Sequence, residues 1–457
     1  MNGDRHVTSM GCPLTRAATT ADPDTDTAQP PLNTQVPDEV RRPSTFSSLR
    51  TRNFRLFASG QVVSNMGTWM QRIAQDWLVL SLTGSATDVG ITTALQFVPT
   101  LLFGLTGGLL ADRYPKRRIL LATQVGMATM GAALAALTLT GRVEVWHVFV
   151  IAFGLGLVTA VDNPTRQSFV NEMVGPDHLR NAISLNASVF QLGALVGPAV
   201  SGGLISAVGP GYSFAINAIS YAAPMIMLCR IRESELVHAS NKTAVGSQLR
   251  DGVRYVASRP GMRWPIVLVG CFGLFTMNLP VTLAAFANSV FHSGPSGYGL
   301  LSSVVAVGSL TGALASARRT TTRLRALAAT AGVLAITEMI AAAAPTELIY
   351  TAALVPVGAA TLMFLTAANS TVQLAAADAI RGRVMGVYLL VFIGSGAIGG
   401  PLLGYIDQHL GPRAGMLLAG LAPAIVLALV CQRLSHETGL RLRWQPHAAH
   451  LVGLVPR

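Results

Sequence analysis

Charge is scarce in this chain. Only 12% of its 457 residues are charged, against 51% hydrophobic, and mean hydropathy is +0.49. Soluble domains carry about 25% charged residues, so this composition excludes an ordinary soluble domain. Lysine is nearly absent: only Lys116 and Lys242 occur among 33 bases. Cysteine is limited to Cys12, Cys229, Cys271 and Cys431. Their wide spacing suits neither a disulfide framework nor a zinc site. There is no GxxxxGK[ST] loop, so no nucleotide-driven pump is indicated. There is no HExxH, no His/Cys cluster, and no nucleophile–base pair to support an enzyme. No metal or other cofactor is implied.

What the chain does have is long apolar runs. They fall at about 56–82, 88–111, 118–140, 145–165, 182–207 and 212–230. After a charged stretch they resume at about 264–290, 297–317, 325–344, 347–369, 384–407 and 413–434. Each is near the ~20 residues that cross a bilayer as a helix. The reading is an all-α membrane protein with twelve transmembrane helices in two six-helix bundles. The bundles span 46–230 and 264–435, joined by a cytoplasmic linker at 231–263. Residues 1–45 are polar, lack an apolar signal-peptide core and read as a disordered cytoplasmic tail. Residues 436–457 read as a second tail, and its final Leu454-Val-Pro-Arg457 matches part of a thrombin site.

Net charge is +12, and the bases sit in short loops rather than in a nucleic-acid-binding patch. Arg113, Lys116, Arg117 and Arg118 share one loop, and Arg318, Arg319, Arg323 and Arg325 share another. Nearly all basic loops fall on one side, with Arg142 and Arg413 on the other. The positive-inside rule then places both termini in the cytoplasm. The membrane expected is the bacterial cytoplasmic membrane, with anionic lipid facing the basic loops.

The halves read as distant copies. Gly193-Ala-Leu-Val-Gly197-Pro198 and Gly396-Ala-Ile-Gly-Gly400-Pro401 stand 203 residues apart, and Asp177-His-Leu-Arg180 answers Asp378-Ala-Ile-Arg381. Helix 1 carries Gln61, Asn65, Trp69, Arg72 and Asp76 at spacings of 4, 4, 3 and 4. That spacing puts them on one helix face. A charge facing lipid at the bilayer centre costs about 2.5–3.5 kcal/mol, so the stripe is expected to face a cavity. Asp76 is a proton-titrating acid, the static i,i+4 partner of Arg72 or an interfacial anchor. Asp162-Asn-Pro-Thr-Arg166-Gln167, at the expected cytoplasmic end of helix 4, resembles a pattern in exporters related to the enterobactin exporter and the macrolide efflux proteins, and a helix-end turn with a local ion pair is an equal alternative. Glu338 reads as structural. Asn278, Pro280, Asn369 and Gln373 are further cavity or gate polars.

The run Gly107-Gly108-Leu-Leu-Ala-Asp112-Arg113-Tyr-Pro115-Lys-Arg117-Arg118 resembles the loop between helices 2 and 3 of the major facilitator superfamily. The resemblance implies that Gly108, Asp112, Arg113 and Arg117 gate the cytoplasmic side. Pro115 stands where many members have glycine. The second half keeps Gly312 and its bases at the equivalent place but has no acid. Gly193, Gly197, Pro198 and Gly202 resemble the antiporter motif of drug/proton antiporters, which implies a tight joint against helix 8 at Gly308 and Gly312. Gly67-Thr-Trp-Met-Gln71 and Trp77-Leu-Val79 look like the bacterial exporter branch called transmembrane secretion effectors. Relatives there often carry Ala-Arg where this chain has Gly193-Ala194. The implied function is a monomeric exporter of small amphipathic compounds, exchanged for protons by rocker-switch alternating access. A narrow siderophore or metabolite exporter and a non-transporting membrane sensor or scaffold are the alternatives.

Overall fold

The computed structural model describes residues 47–236, 248–317, 324–377, 380–438, 440–444 and 452–456. The tail at 1–45, Lys242, Asp378 and the bases Arg318, Arg319 and Arg323 lie outside them. In the first half the helices are α1 (Arg52–Thr83), α2 (Ala86–Arg113), α3 (Lys116–Leu139), α4 (Val145–Gly175), α5 (His178–Val208) and α6 (Pro210–Arg230). In the second half they are α7 (Pro260–Val290), α8 (Gly294–Ala317), α9 (Leu324–Ala342), α10 (Glu347–Ala375), α11 (Arg381–Leu410) and α12 (Pro412–Thr438). A linker helix, Gln248–Ala257, packs on the start of α11.

Eleven of these helices, α2 to α12, contain a stretch long and apolar enough to cross a bilayer. Regular helices suit lipid because they satisfy their own backbone hydrogen bonds. Large apolar side chains on their outer faces are exposed, Leu348, Ile219 and Ile398 among them. The exception is α1. It has 32 residues, about 48 Å at 1.5 Å per residue. Its polar face lowers its hydropathy, but that face is mostly buried: Gln61, Ser64, Gln71, Gln75 and Asp76 all lie inside.

Helix ends follow local chemistry. Gly84 takes φ 65° and closes α1 with its N–H on the Leu80 carbonyl (2.8 Å). Gly175, at φ 67°, breaks what would otherwise be one 64-residue helix into α4 and α5. This conformation suits glycine because it has no Cβ. α7 loses regularity at Thr276–Asn278, before Pro280, and ends in a π-helical turn over Phe286–Val290. The C-terminal segment expected as a tail holds two paired antiparallel strands, Leu440–Trp444 and Val452–Pro456.

α4 runs ten residues past its expected end. Asp162 and Arg166 therefore sit within a helix rather than at a terminal turn. Pro164 cannot donate to the carbonyl of Ala160, four residues back. The backbone of Gly107 on α2 lies directly against that carbonyl, where any side chain would collide.

The two halves meet at the end away from the basic loops. The Ala86 N–H of α2 donates to Gln408 of α11 (2.8 Å), and Gly90 packs on Gly400. The Gly202 backbone of α5 packs on Pro295 and Gly299 of α8.

Candidate functional site

A cavity of about 460 Å³ lies among α1, α2, α3, α4, α5 and α6. Among the described residues, the second half contributes only Ile393 of α11 to its lining. Eight of the lining side chains are carboxamides, among them Asn65, Gln71, Gln75, Gln96 and Asn217. Three are charged: Arg72, Asp162 and Arg166. Phe97, Met127, Leu155 and Phe190 supply apolar wall.

Asp162 anchors a buried network. It accepts from Thr123 (2.7 Å) and Gln124 (3.1 Å) of α3 and pairs with Arg166 one turn along α4. Arg166 also donates to Gln61 of α1. A second network joins α1 to α6, where Asn217 donates to Gln71 (2.5 Å) and to the Tyr221 hydroxyl (3.4 Å). Burying such groups is tolerable only when they are partnered. These two networks fix how α1, α3, α4 and α6 are rotated about their axes.

The stripe on α1 divides. Asn65 and Arg72 line the cavity, and Gln61 reaches it through Arg166. Trp69 lies behind the lining, edge-to-face with Phe190 (5.4 Å). The Arg72 guanidinium sits over the rings of Trp69 (5.5 Å) and Phe97 (5.9 Å). Asp76 is only 5% exposed and does not line the cavity. Its Oδ2 accepts from the Tyr298 hydroxyl of α8 (2.7 Å), and Tyr298 is fully buried beside Trp77. The i,i+4 ion pair between Arg72 and Asp76 is not formed. The acid instead links the two halves.

The glycine motif of α5 also divides. Added side chains at Gly193 and Gly197 would meet Trp69, with Asn65 beside the first and Met66 beside the second, so these two glycines make room for α1. The Pro198 carbonyl and Gly202 meet Gly299 of α8. Gly308 and Gly312, expected to receive α5, pack on α10 at Val355 and Ala359. The contact with α8 lies earlier in that helix, at Pro295 and Gly299, the end away from the basic loops.

The loop after α2 places its charges differently from one another. Asp112 and Arg113 are exposed, with Arg113 over the Tyr114 ring (6.0 Å), and Gly108 has open space beside it. Arg117 donates to the last carbonyls of α6, Leu228 (2.8 Å) and Cys229 (2.9 Å), and to Glu233 (2.7 Å). Lys116 pairs with Glu172 of α4 (2.7 Å). These bases tie the first half together internally.

Asn278 and Asn369 lie outside the cavity. Asn278 is buried where α7 bends and donates to the Leu274 carbonyl (3.1 Å), against Gly399. Asn369 is half-buried on α10. Glu338 accepts from Thr276 (3.0 Å), which ties α9 to the same bend. The sequence reading missed Asp407 of α11, which is buried and accepts from Thr282 of α7 (2.8 Å). It also missed Gln75. Asp407 is an acid near the end of an otherwise apolar helix, and Gln75 stands beside Asp76 on a helix already read as polar.

Residues 43–442 match the family described as transmembrane secretion effector. The multidrug efflux pump Tap of Mycobacterium tuberculosis is 25% identical over 425 residues, covering 87% of this chain and 96% of that protein. The staphyloferrin A transporter of Staphylococcus aureus is 26% identical over 176 residues, covering 38% of this chain and 44% of that protein. The chain thus spans less than half of the length of one curated relative and nearly all of another. A bacterial homologue of the lysosomal transporter Spinster, solved in an inward-facing and unoccupied conformation, superposes with a TM-score of 0.66 at 15% identity, covering 87% of this chain and 99% of that one. With a family match running through both halves, on a transporter fold, the chain belongs to the transmembrane secretion effectors, an efflux family of the major facilitator superfamily.

Proposed function

We propose that this chain is a secondary active exporter of small amphipathic compounds, exchanged for protons by rocker-switch alternating access. The observation that carries this reading is the Asp76–Tyr298 hydrogen bond. It joins α1 to α8 across the halves, one turn along α1 from the cavity-lining Arg72. The bond can exist only while the outer end is closed. Opening that end parts α1 from α8, exposes Asp76 to the outer solution and lets it take up the proton that drives the return step. α1 serves as a twelfth membrane span, with both termini and the linker in the cytoplasm and the chain in the bacterial cytoplasmic membrane as a monomer. In this arrangement the described conformation faces inward. Asp112 and Arg113 then stand apart from the second half, and Asp112 engages it when the outer end opens.

Relatives named for drug and siderophore transport fit an exporter of this kind. The carboxamide-rich cavity favours a narrow substrate choice over a broad one, since each buried amide left unpaired by a wrong solute is penalised. The test is accumulation of anionic, neutral and cationic fluorescent compounds in efflux-deficient bacteria. Native protein, Asp76→Asn and Asp112→Asn are compared at matched membrane levels, with and without a protonophore. Proton-coupled export lowers accumulation of at least one compound, and both protonophore and Asp76→Asn abolish the effect. Export that persists with protonophore sinks the antiport reading.

A further inference from the structure

Two cavity-lining residues of α1 carry hydrogen-bond donors with no acceptor. Gln75 is 1% exposed and lines the cavity, and its side-chain amide nitrogen has no hydrogen-bond partner. Unpartnered buried donors are rare and call for an explanation. Arg72 stands three residues earlier, on the same helix face. Both nearby acids are engaged elsewhere, Asp162 by Arg166, Thr123 and Gln124, and Asp76 by Tyr298. The charged lining is Arg72 and Arg166 against Asp162, a surplus of one positive charge.

The guanidinium is also held in place. Trp69 and Phe97 flank it, and Trp69 is seated where Gly193 and Gly197 leave space. Two flanking rings restrict the guanidinium, whose N–H groups form a planar fork that matches a carboxylate in two-point contact. The remaining wall offers amides and hydroxyls, with Phe97 and Phe190 as apolar surface.

We infer that Arg72 and Gln75 form an anion subsite, and that the exported compound is an amphipathic carboxylate with several hydrogen-bonding groups. This rests on the cavity being the substrate site of the exporter proposed above. The carboxylate takes the Arg72 fork and the Gln75 amide, and the body of the molecule lies against the carboxamides. A hydrophobic monocation finds a repelling charge and unpaired amides at the same place.

The test is binding of two dyes to the purified full chain in lipid nanodiscs, read by fluorescence anisotropy. The anionic probe is carboxyfluorescein and the cationic probe is rhodamine 6G. The expected result is tighter binding of carboxyfluorescein. Arg72→Gln weakens it about tenfold, the loss of one charge-assisted hydrogen bond. Gln75→Glu weakens it to a similar extent by adding a like charge. Arg72→Lys, which keeps the charge but loses the fork, falls between, and neither Arg72 variant weakens rhodamine 6G. Size-exclusion profiles identify any variant that fails to fold, and the others then decide. Rhodamine 6G binding as tightly as carboxyfluorescein overturns the inference. So does carboxyfluorescein binding that stays within about twofold in both Arg72→Gln and Gln75→Glu, or the binding of neither dye to folded native protein. Transport in everted vesicles is scored separately. Dye that binds as expected but does not move refutes the exporter and leaves the subsite standing.

Discussion

The two halves repeat one plan and use it for different work. In both, a Gly-Pro helix crosses to the other half: Gly202 of α5 meets Gly299 of α8, and Gly400 of α11 meets Gly90 of α2. These are equivalent joints, and glycine backbone faces glycine backbone in each. The polar chemistry is not repeated. The first half surrounds the cavity with carboxamides, an ion pair and an arginine flanked by two aromatic rings. Among the described residues the second half supplies one isoleucine to it and keeps two buried acids, Glu338 and Asp407, on threonine hydroxyls between its own helices. A duplicated backbone therefore gives two equivalent joints, while the side chains that line the cavity come almost wholly from the first half.

Breaking the shared joint has the largest effect. Gly90→Val puts side-chain atoms into the Gly400 carbonyl, and Gly299→Val does the same at Pro198. Both variants are expected to lose export entirely and to hold the outer end open. Ala86→Cys, in a background lacking the four native cysteines, reports this through faster labelling by an impermeant maleimide. Equal effects confirm equivalent joints, and an effect at only one breaks the symmetry.

Next come the acids of the two halves. Asp162→Asn leaves Arg166 without its charge partner, and breaking a buried pair from one side costs about 3 kcal/mol or more. Asp407→Asn removes no ion pair and still accepts from Thr282, so about 1 kcal/mol or less is expected. The comparison is read as thermal unfolding midpoints in detergent, where the first variant should fall well below the second. Adding Arg166→Gln to Asp162→Asn should recover part of the loss.

Tyr298→Phe deletes the cross-half hydrogen bond while keeping the ring stacked beside Trp77. A hydrogen bond to a carboxylate is worth about 1.5–3 kcal/mol. Its loss should shift the resting population toward outer-open, seen as intermediate Ala86→Cys labelling. The smallest effect is expected from Arg117→Ala, which removes contacts within the first half at a partly exposed site. About 1 kcal/mol of stability is lost and labelling does not change.

Much of the architecture was legible along the chain. Every apolar run expected became a helix, most ends moved by five residues or fewer, and the Gly-Pro repeat marked the duplicated crossing. α4 was the main departure, because a proline reads as a helix end when its context is unseen. Gly107 against the Ala160 carbonyl is that context. The cavity stripe on α1 was visible in its period, but the partners of its members were not. Spacing alone allows Arg72 to meet Asp76. Asp76 instead meets Tyr298, 222 residues away.

The sequence by itself determined what lipid selects: helices of spanning length, bases at one end and small residues where helices touch. Each follows from transfer energies and from backbone groups that must bond within their own helix. The tertiary structure alone decided which polar side chains converge. That depends on how each helix is rotated about its axis, and rotation is set by packing against neighbours from distant parts of the chain. Thus the glycines of α5 came to seat Trp69 beside Arg72, and Gln75 came to line the cavity with its amide nitrogen unpaired.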